Sequence, residues 1–147
     1  MSFTASNVYQ ESQILSASPL ELVRILYRQA ISAVANARRY VREGNIPDRS
    51  REITRAQMIL AELQSSLDHE KGGSLSRNLL ELYVYMFDRL RQANAEQTEP
   101  PLAEVAQLLQ TLLEGWRDCN PEPKPATTTL MPPAEFELAM AGNGQVY

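Results

Sequence analysis

The segment from Ile53 to Leu90 constrains the fold most, because its apolar residues follow the period of a helix on both sides of a glycine pair. Before the glycines, apolar residues recur at alternating intervals of three and four positions: Ile53, Ala56, Leu60, Leu63 and Leu67. This spacing places them on one face of a helix that packs along a neighbour. The run from Asp68 to Gly73 interrupts the period, and Ser74 can cap a second helix. The segment therefore predicts two helices joined by a corner.

The second of these helices carries more apolar surface than a bundle needs. Ten of the sixteen residues from Leu75 to Leu90 are apolar or aromatic, whereas a helix that covers one side of a core needs about three in seven. A helical wheel places one set toward the core: Leu75, Leu79, Leu82 and Met86. A second set is centred about 100° away and can line an external groove: Leu80, Tyr83 and Phe87. Burial of both sets in a central helix is the alternative that the pattern leaves open.

Helix one has clear sequence boundaries. Ser18 and Glu21 form a capping box that satisfies free backbone N–H groups, and Pro19 at the first helical position sacrifices no hydrogen bond. Apolar residues keep a helical spacing as far as Val41, and Glu43-Gly44-Asn45 then provides the stop. The first helix is therefore predicted between Ser18 and Gly44.

Three further helices are predicted along the chain. Helix two covers about residues 50-68, helix three about 75-95, and helix four carries the apolar residues from Leu102 to Trp116. No stretch before Cys119 shows the sustained alternation of a strand. Connections of roughly five to seven residues favour antiparallel neighbours. The sequence predicts an all-α fold, an antiparallel up-down-up-down four-helix bundle.

Composition divides the chain into an N-terminal strap over residues 1-17, the bundle domain over 18-119 and a tail over 120-147. The strap is mostly polar but carries large side chains such as Tyr9 and Ile14. The tail holds five of the nine prolines, a composition typical of disorder. Within it, the segment from Ala134 to Met140 could form a turn or two of amphipathic helix. A passive tail and a reversible plug for the domain's own groove are the two interpretations.

The chain lacks the residue sets that enzymatic and metal sites need. Its single cysteine, Cys119, excludes an intramolecular disulfide and a cysteine cage for a metal. Its single histidine, His69, cannot supply the paired Glu-x-x-His motifs of a ferritin-like bundle. There is also no second histidine with which Cys119 could form a nucleophile pair. No phosphate-binding loop of the G-x-x-x-x-G-K-[ST] type occurs. We therefore expect no enzymatic activity, no metal and no cofactor.

Charge and hydropathy bear on partners and location. The net charge of -4 argues against nucleic-acid binding, although residues 24-55 hold eight arginines. A solvated helix surface explains these arginines, and a nucleic-acid-binding regulator is the alternative. The N-terminus lacks the basic and apolar regions of a signal peptide, and no run of about 18 apolar residues occurs. The sequence predicts a cytoplasmic protein without membrane insertion.

An ordered set of short motifs runs through the chain: Tyr9, Ile14 to Pro19, Ile25 to Tyr27, Ala56-Gln57, Ile59, Glu62-Leu63, Ser66 to Asp68, Gly72-Gly73, Asn78-Leu79, Leu82-Tyr83, Tyr85-Met86, Ala93-Asn94 and Trp116. Together they resemble the cytoplasmic, flagellin-specific export chaperones of the FliS type over about residues 5-118. The tail after Cys119 lies outside the pattern.

The resemblance implies both a partner and a site. Chaperones of this family are four-helix antiparallel bundles that bind the C-terminal segment of flagellin along outer grooves, prevent premature filament assembly and hand the subunit to the export gate. In this sequence the groove is predicted from residues of helices two and three: Ile53, Ile59, Leu63, Leu80, Tyr83 and Phe87. The resemblance also implies that the strap, with Tyr9 and Ile14, covers apolar surface in the free protein and shifts when flagellin binds.

Other partners and states stay open at this point. An export-gate component or an anti-sigma factor is a further candidate partner. The surplus apolar face could also be a contact between two copies of the chain, because exposed patches often serve that purpose. A monomer or a weak dimer is expected.

Overall fold

The computed structural model describes residues 18–117, which form four helices and no strand. In chain order they are α1 (Pro19–Glu43), α2 (Ile46–Ser65), α3 (His69–Glu96) and α4 (Pro100–Arg117). The prediction of an all-α bundle is confirmed. The strap with Tyr9 and Ile14, Cys119 and the tail over 120-147 lie outside the described residues.

The ends of α1 follow the sequence signals. The Ser18 hydroxyl accepts a hydrogen bond from the Glu21 backbone N–H at 3.2 Å, which satisfies one of the free donors of the first turn. Gly44 ends the helix at φ +68, a left-handed conformation that glycine adopts without a steric penalty. Both boundaries are therefore local properties of the sequence.

Helix α2 begins four residues earlier than the predicted start at about residue 50. Asn45 is its N-cap, because the side-chain oxygen of Asn45 accepts a hydrogen bond from the Asp48 N–H at 3.3 Å. Pro47 lies in the first turn, where its missing N–H costs nothing. Gly44 and Asn45 alone therefore join α1 to α2, a connection shorter than the predicted five to seven residues.

Helix α3 also begins earlier than predicted, at His69 rather than after Ser74. Asp68 caps it by accepting hydrogen bonds from the N–H groups of Glu70 and Lys71 at 3.0 and 3.1 Å. The predicted corner survives only as a kink at Gly73, whose φ of 53 and ψ of -127 are not helical. The carboxylate cap makes the extra turn favourable, and one glycine is enough to change the direction of the helix.

The four helices close into a ring around a single core. Each helix packs against the next along the chain, and α1 also packs against α4, so that α1 and α3 stand diagonally opposite. Short connections make sequential neighbours antiparallel. The largest fully buried side chains in this core include Trp116, Tyr27 and Tyr83. None of the four helices within residues 18–117 has both the length and the apolar character needed to span a membrane.

Candidate partner-binding surface

The predicted outer row of α3 is split by the structure. Tyr83 is only 1% exposed and lies in the core, whereas Leu80 is half-buried and Phe87 is 41% exposed. The placement of Tyr83 in an external groove is therefore wrong. Tyr83 follows Leu79 by four residues and precedes Met86 by three, so it shares their buried stripe and the core arc of α3 is wider than expected.

A hydrogen bond across the bundle explains how a tyrosine is accommodated there. The hydroxyl oxygens of Tyr27 and Tyr83 lie 2.5 Å apart, and the Tyr27 ring also lies 6.3 Å from that of Trp116. Burial raises the pKa of Tyr27 to about 12, against the opposing effect of hydrogen bonding with Tyr83 and Trp116. Burial likewise raises the pKa of Tyr83 well above its ordinary value. Tyr27 is fully buried.

The α2 wall of the predicted groove is also corrected. Ile53 and Leu63 are 1% and 0% exposed and belong to the core cluster, so they cannot line an outer surface in this structure. They are part of the three-and-four seam that packs α2 onto its neighbours. Ile59, at 8% exposure, lies at the edge of the core and lines a groove shared with α1.

An uncovered apolar row nevertheless runs along α3. We call it the α3 outer row and define it as Leu80, Val84 and Phe87, which are spaced by four and three residues and share one helix face. Val84 is 51% exposed, and its role was missed because the wheel gave the row to Tyr83 instead. The Gln57 side-chain amide of α2 donates to the Phe87 carbonyl at 3.3 Å, which places α2 beside the row.

Tyr85 ties α3 to α4. Its hydroxyl donates to a Glu104 carboxylate oxygen at 2.5 Å, and Arg89 Nε donates to the other oxygen at 2.6 Å. These two hydrogen bonds, that from Tyr85 first, lower the pKa of Glu104. The Tyr85 ring is 44% exposed at the side of α3 that faces α4.

A second surface feature is a groove of about 730 Å³ between α1 and α2. We call it the α1–α2 groove. Its lining residues include Leu26, Arg51, Arg55, Met58, Ile59 and Glu62. Met58 is 68% exposed, the highest exposed fraction among the large apolar side chains of residues 18–117. The groove and the α3 outer row are separate surfaces with α2 between them.

Arginines of α1 and α2 tie helices together. Arg38 and Arg42 of α1 both donate to the Glu99 carboxylate, at 2.9 and 2.6 Å, where α4 begins. The bonds from Arg42 and Arg38 lower the Glu99 pKa to about 2. Arg49 is 5% exposed and its Nε donates to the Asn94 side chain at 3.1 Å. These contacts give the arginine-rich segment a structural role that needs no nucleic acid.

Metal-binding residue types do not cluster in the described part of the chain. No group of three or more His, Cys, Asp or Glu residues within 18–117 could hold a metal ion. His69 lies exposed in the first turn of α3, with Nδ1 3.1 Å from the Ser76 hydroxyl oxygen.

Comparisons with known proteins agree with this geometry. The family model described as Flagellar protein FliS matches residues 1–123. The flagellar secretion chaperone FliS of Salmonella typhimurium is 36% identical over 118 residues, which cover 80% of this chain and 87% of that protein. The flagellar secretion chaperone FliSB of Pseudomonas aeruginosa is 36% identical over 72% of this chain and 84% of its own length. FliS of Campylobacter jejuni is 34% identical over 79% and 91%, respectively.

Proposed function

Because this chain belongs to the FliS family of flagellar secretion chaperones, we propose that it binds the disordered C-terminal segment of flagellin in the cytoplasm. Binding prevents premature polymerisation and keeps the subunit competent for type III flagellar export. The chain acts as a binding protein, without catalysis and without a cofactor.

The observation that carries this proposal is the α3 outer row. Leu80, Val84 and Phe87 form a continuous apolar stripe on a bundle whose core is already closed. Exposed apolar stripes of this kind mark binding surfaces more often than isolated exposed side chains do. Residues spaced by four and three positions match the anchors of an amphipathic helix laid along a helical groove.

A disordered partner sets the energy that the surface must supply. Ordering such a segment costs about 2-5 kcal/mol. Burial of roughly 200 Å² of apolar surface contributes about 5 kcal/mol at about 25 cal/mol per Å². The three side chains of the α3 outer row, with the residues beside them, provide contact area of this order, which offsets the cost of ordering the segment. A contact that extends beyond the row then yields net affinity.

The predicted groove residues that are buried in the core support the α3 outer row indirectly. Tyr83, Ile53 and Leu63 fill the core under α2 and α3 and so fix the position of the α3 backbone. Ile59 lies on the other side of α2, at the α1–α2 groove. The proposed direct contacts to flagellin are therefore Leu80, Val84 and Phe87.

The N-terminal strap has a proposed role in controlling access to the α3 outer row. We propose that residues 1-17, with Tyr9 and Ile14, cover part of the α3 outer row in the free protein. Docking of a strap lowers the apparent affinity for flagellin by the fraction of time for which the surface is covered. Deletion of residues 1-13 should then strengthen or speed binding, and a large loss would mean that the strap itself contacts flagellin.

Calorimetry with a peptide of the flagellin C-terminus tests the main proposal. We expect saturable binding with a negative heat-capacity change, the marker of apolar burial. Phe87→Ser should weaken binding by about tenfold or more, because burial of one such side chain contributes about 1.5–3 kcal/mol. Ile46→Ser is the matched control, since Ile46 is similarly exposed, at 48%, but lies at the start of α2. Equal affinities of the Phe87→Ser variant and the unmodified chain would refute the assignment of this surface.

Two measurements separate the rival functions. Binding through apolar contacts should change little between 50 and 200 mM salt, whereas phosphate binding weakens steeply over that range. Sedimentation of the free chain tests the homodimer alternative, which a monomer at binding concentrations rejects.

A further inference from the structure

The α1–α2 groove is an apolar surface that the proposed flagellin contact does not use. It is lined by Leu26, Ile59 and the exposed Met58, and by the charged residues Arg51, Arg55 and Glu62. The Arg51 and Arg55 side chains are 69% and 42% exposed. A matching occupant would combine large apolar side chains with neighbouring carboxylates.

One segment of this chain has that combination. Residues 134-140 read Ala-Glu-Phe-Glu-Leu-Ala-Met, and no lysine or arginine follows Lys124. Phe136 and Met140 are four residues apart, a spacing that brings both to one side of a helix and also to one side of an extended chain. Glu135 and Glu137 flank the aromatic side chain. The segment lies beyond residue 123, where the match to the family model ends.

We propose that residues 134-140 occupy the α1–α2 groove of the same chain. Phe136 and Met140 contact Met58, and the adjacent carboxylates lie toward Arg51 and Arg55. The contact covers the groove in the free protein. It does not depend on flagellin binding, because the groove and the α3 outer row are separate surfaces.

The connection is long enough and starts at the correct end of the bundle. Arg24 of α1 donates to the Trp116 carbonyl at 2.7 Å, so α4 ends beside the first part of α1. Leu26 lies within the first turns of α1. Sixteen residues, 118-133, separate α4 from the segment, and they can span up to about 50 Å. A covalent connection of this length raises the effective concentration of the segment to the order of millimolar, so weak affinity is sufficient.

The carboxylates of this segment match Arg51 and Arg55 better than the strap does, in a groove that has one acidic lining residue, Glu62. The strap has one acidic residue, Glu11, whereas the segment places two carboxylates within three positions. Arg51 is already paired with Asp48 at 2.6 Å and Arg55 with Glu52 at 3.2 Å. Each guanidinium has five N–H donors, so it can bind a second carboxylate without losing the first.

Methyl NMR of the full-length chain labelled at methionine tests the contact. Met58 reports on the groove, and Met86, which is 0% exposed in the core, is the internal control. Phe136→Ser should shift the Met58 methyl signal and leave the Met86 signal unchanged. Leu130→Ser, which removes an apolar side chain of the tail outside the segment, should shift neither. Phe136 is not a residue of α1–α4, so its substitution leaves the described core side chains in place.

Three results would overturn the proposal. The first is a Met58 signal that is identical in the Phe136→Ser variant and the unmodified chain. The second is a shift of Met58 on Tyr9→Ser instead, which would assign the groove to the strap. The third is a dependence of the Met58 signal on protein concentration, with dimers in sedimentation, which would assign the groove to the tail of a second copy. A failure of the chain to bind flagellin would leave all three readouts unaffected. Failure of the proposed function can therefore be distinguished from failure of the tail contact.

Discussion

Tyr27 of α1 and Tyr83 of α3 are diagonally opposite in the bundle, and their hydroxyl oxygens lie 2.5 Å apart inside the core. The two rings are fully buried and tilted by 52° with centroids 6.4 Å apart. Because this hydrogen bond joins α1 and α3, which are not packed as neighbours, it couples the two halves of the four-helix bundle. Two polar atoms that would each be costly to bury alone satisfy one another.

The first prediction concerns this pair. Tyr83→Phe should lower the free energy of unfolding by about 1–3 kcal/mol, because it removes a partner from the buried hydroxyl of Tyr27. Tyr27→Phe should have a similar effect, and the double variant should lose less than the sum of the two. Urea denaturation followed by the fluorescence of Trp116, the only tryptophan, measures all three. Strict additivity would show that the hydroxyls do not interact.

The second prediction separates surface from core on α3. Phe87→Ala should leave the unfolding midpoint nearly unchanged, since the Phe87 side chain is 41% exposed. Tyr83→Ala should lower the free energy of unfolding by about 3-5 kcal/mol, as expected for loss of a buried aromatic residue. Thermal unfolding followed by circular dichroism compares the two. Equal losses would contradict the assignment of Phe87 to the outer row.

The third prediction concerns acid stability. Hydrogen bonds from Arg42 and Arg38 lower the Glu99 pKa from 4.5 to about 2 in the folded protein. Between these values the unfolded chain binds a proton at this carboxylate that the folded chain does not, so stability falls as the pH decreases through the window. Glu99→Gln should remove this contribution and give a shallower dependence of stability on pH from about 4.5 to about 2.

Glu43→Gln is the control for this experiment. Glu43 pairs with Arg39 at 3.8 Å, and both side chains are more than half exposed. Exposed pairs of this kind contribute little to stability. The Glu43→Gln variant should therefore keep the acid dependence of the unmodified chain, and equal slopes for the two variants would contradict the role of Glu99.

The fourth prediction concerns the kink of α3. Gly73 has φ +53 and ψ -127, a conformation that residues with a Cβ rarely adopt, although no atom lies within 4 Å of a Cβ placed there. Gly73→Ala should lower the free energy of unfolding by about 1–2 kcal/mol through backbone strain alone. Gly72→Ala, at a position without positive φ, is the control and should cause no such loss. Equal effects at the two positions would contradict the strain at Gly73.

Much of the architecture was predictable because its causes are local. Ser18 and Gly44 bound α1 through a side-chain cap and a left-handed glycine. The spacing of Ile53, Leu60 and Leu63 predicts one packed face of α2, which the structure confirms, whereas the assignment of Ile53 and Leu63 to an outer groove is wrong. The extra turns at the starts of α2 and α3 follow from Asn45 and Asp68, whose capping potential is also present in the sequence.

The surface that remains available for a partner was decided by the tertiary structure. A helical wheel gives the direction of each side chain around its own helix, but the width of the buried arc depends on the neighbouring helices. Tyr83 lies at the edge of that arc, and its burial required a hydroxyl from Tyr27, 56 positions away in sequence. The sequence by itself therefore determined four amphipathic helices with surplus apolar residues. Only the packing of α1 opposite α3 decided that Tyr83 is in the core and that Val84 and Phe87 remain exposed.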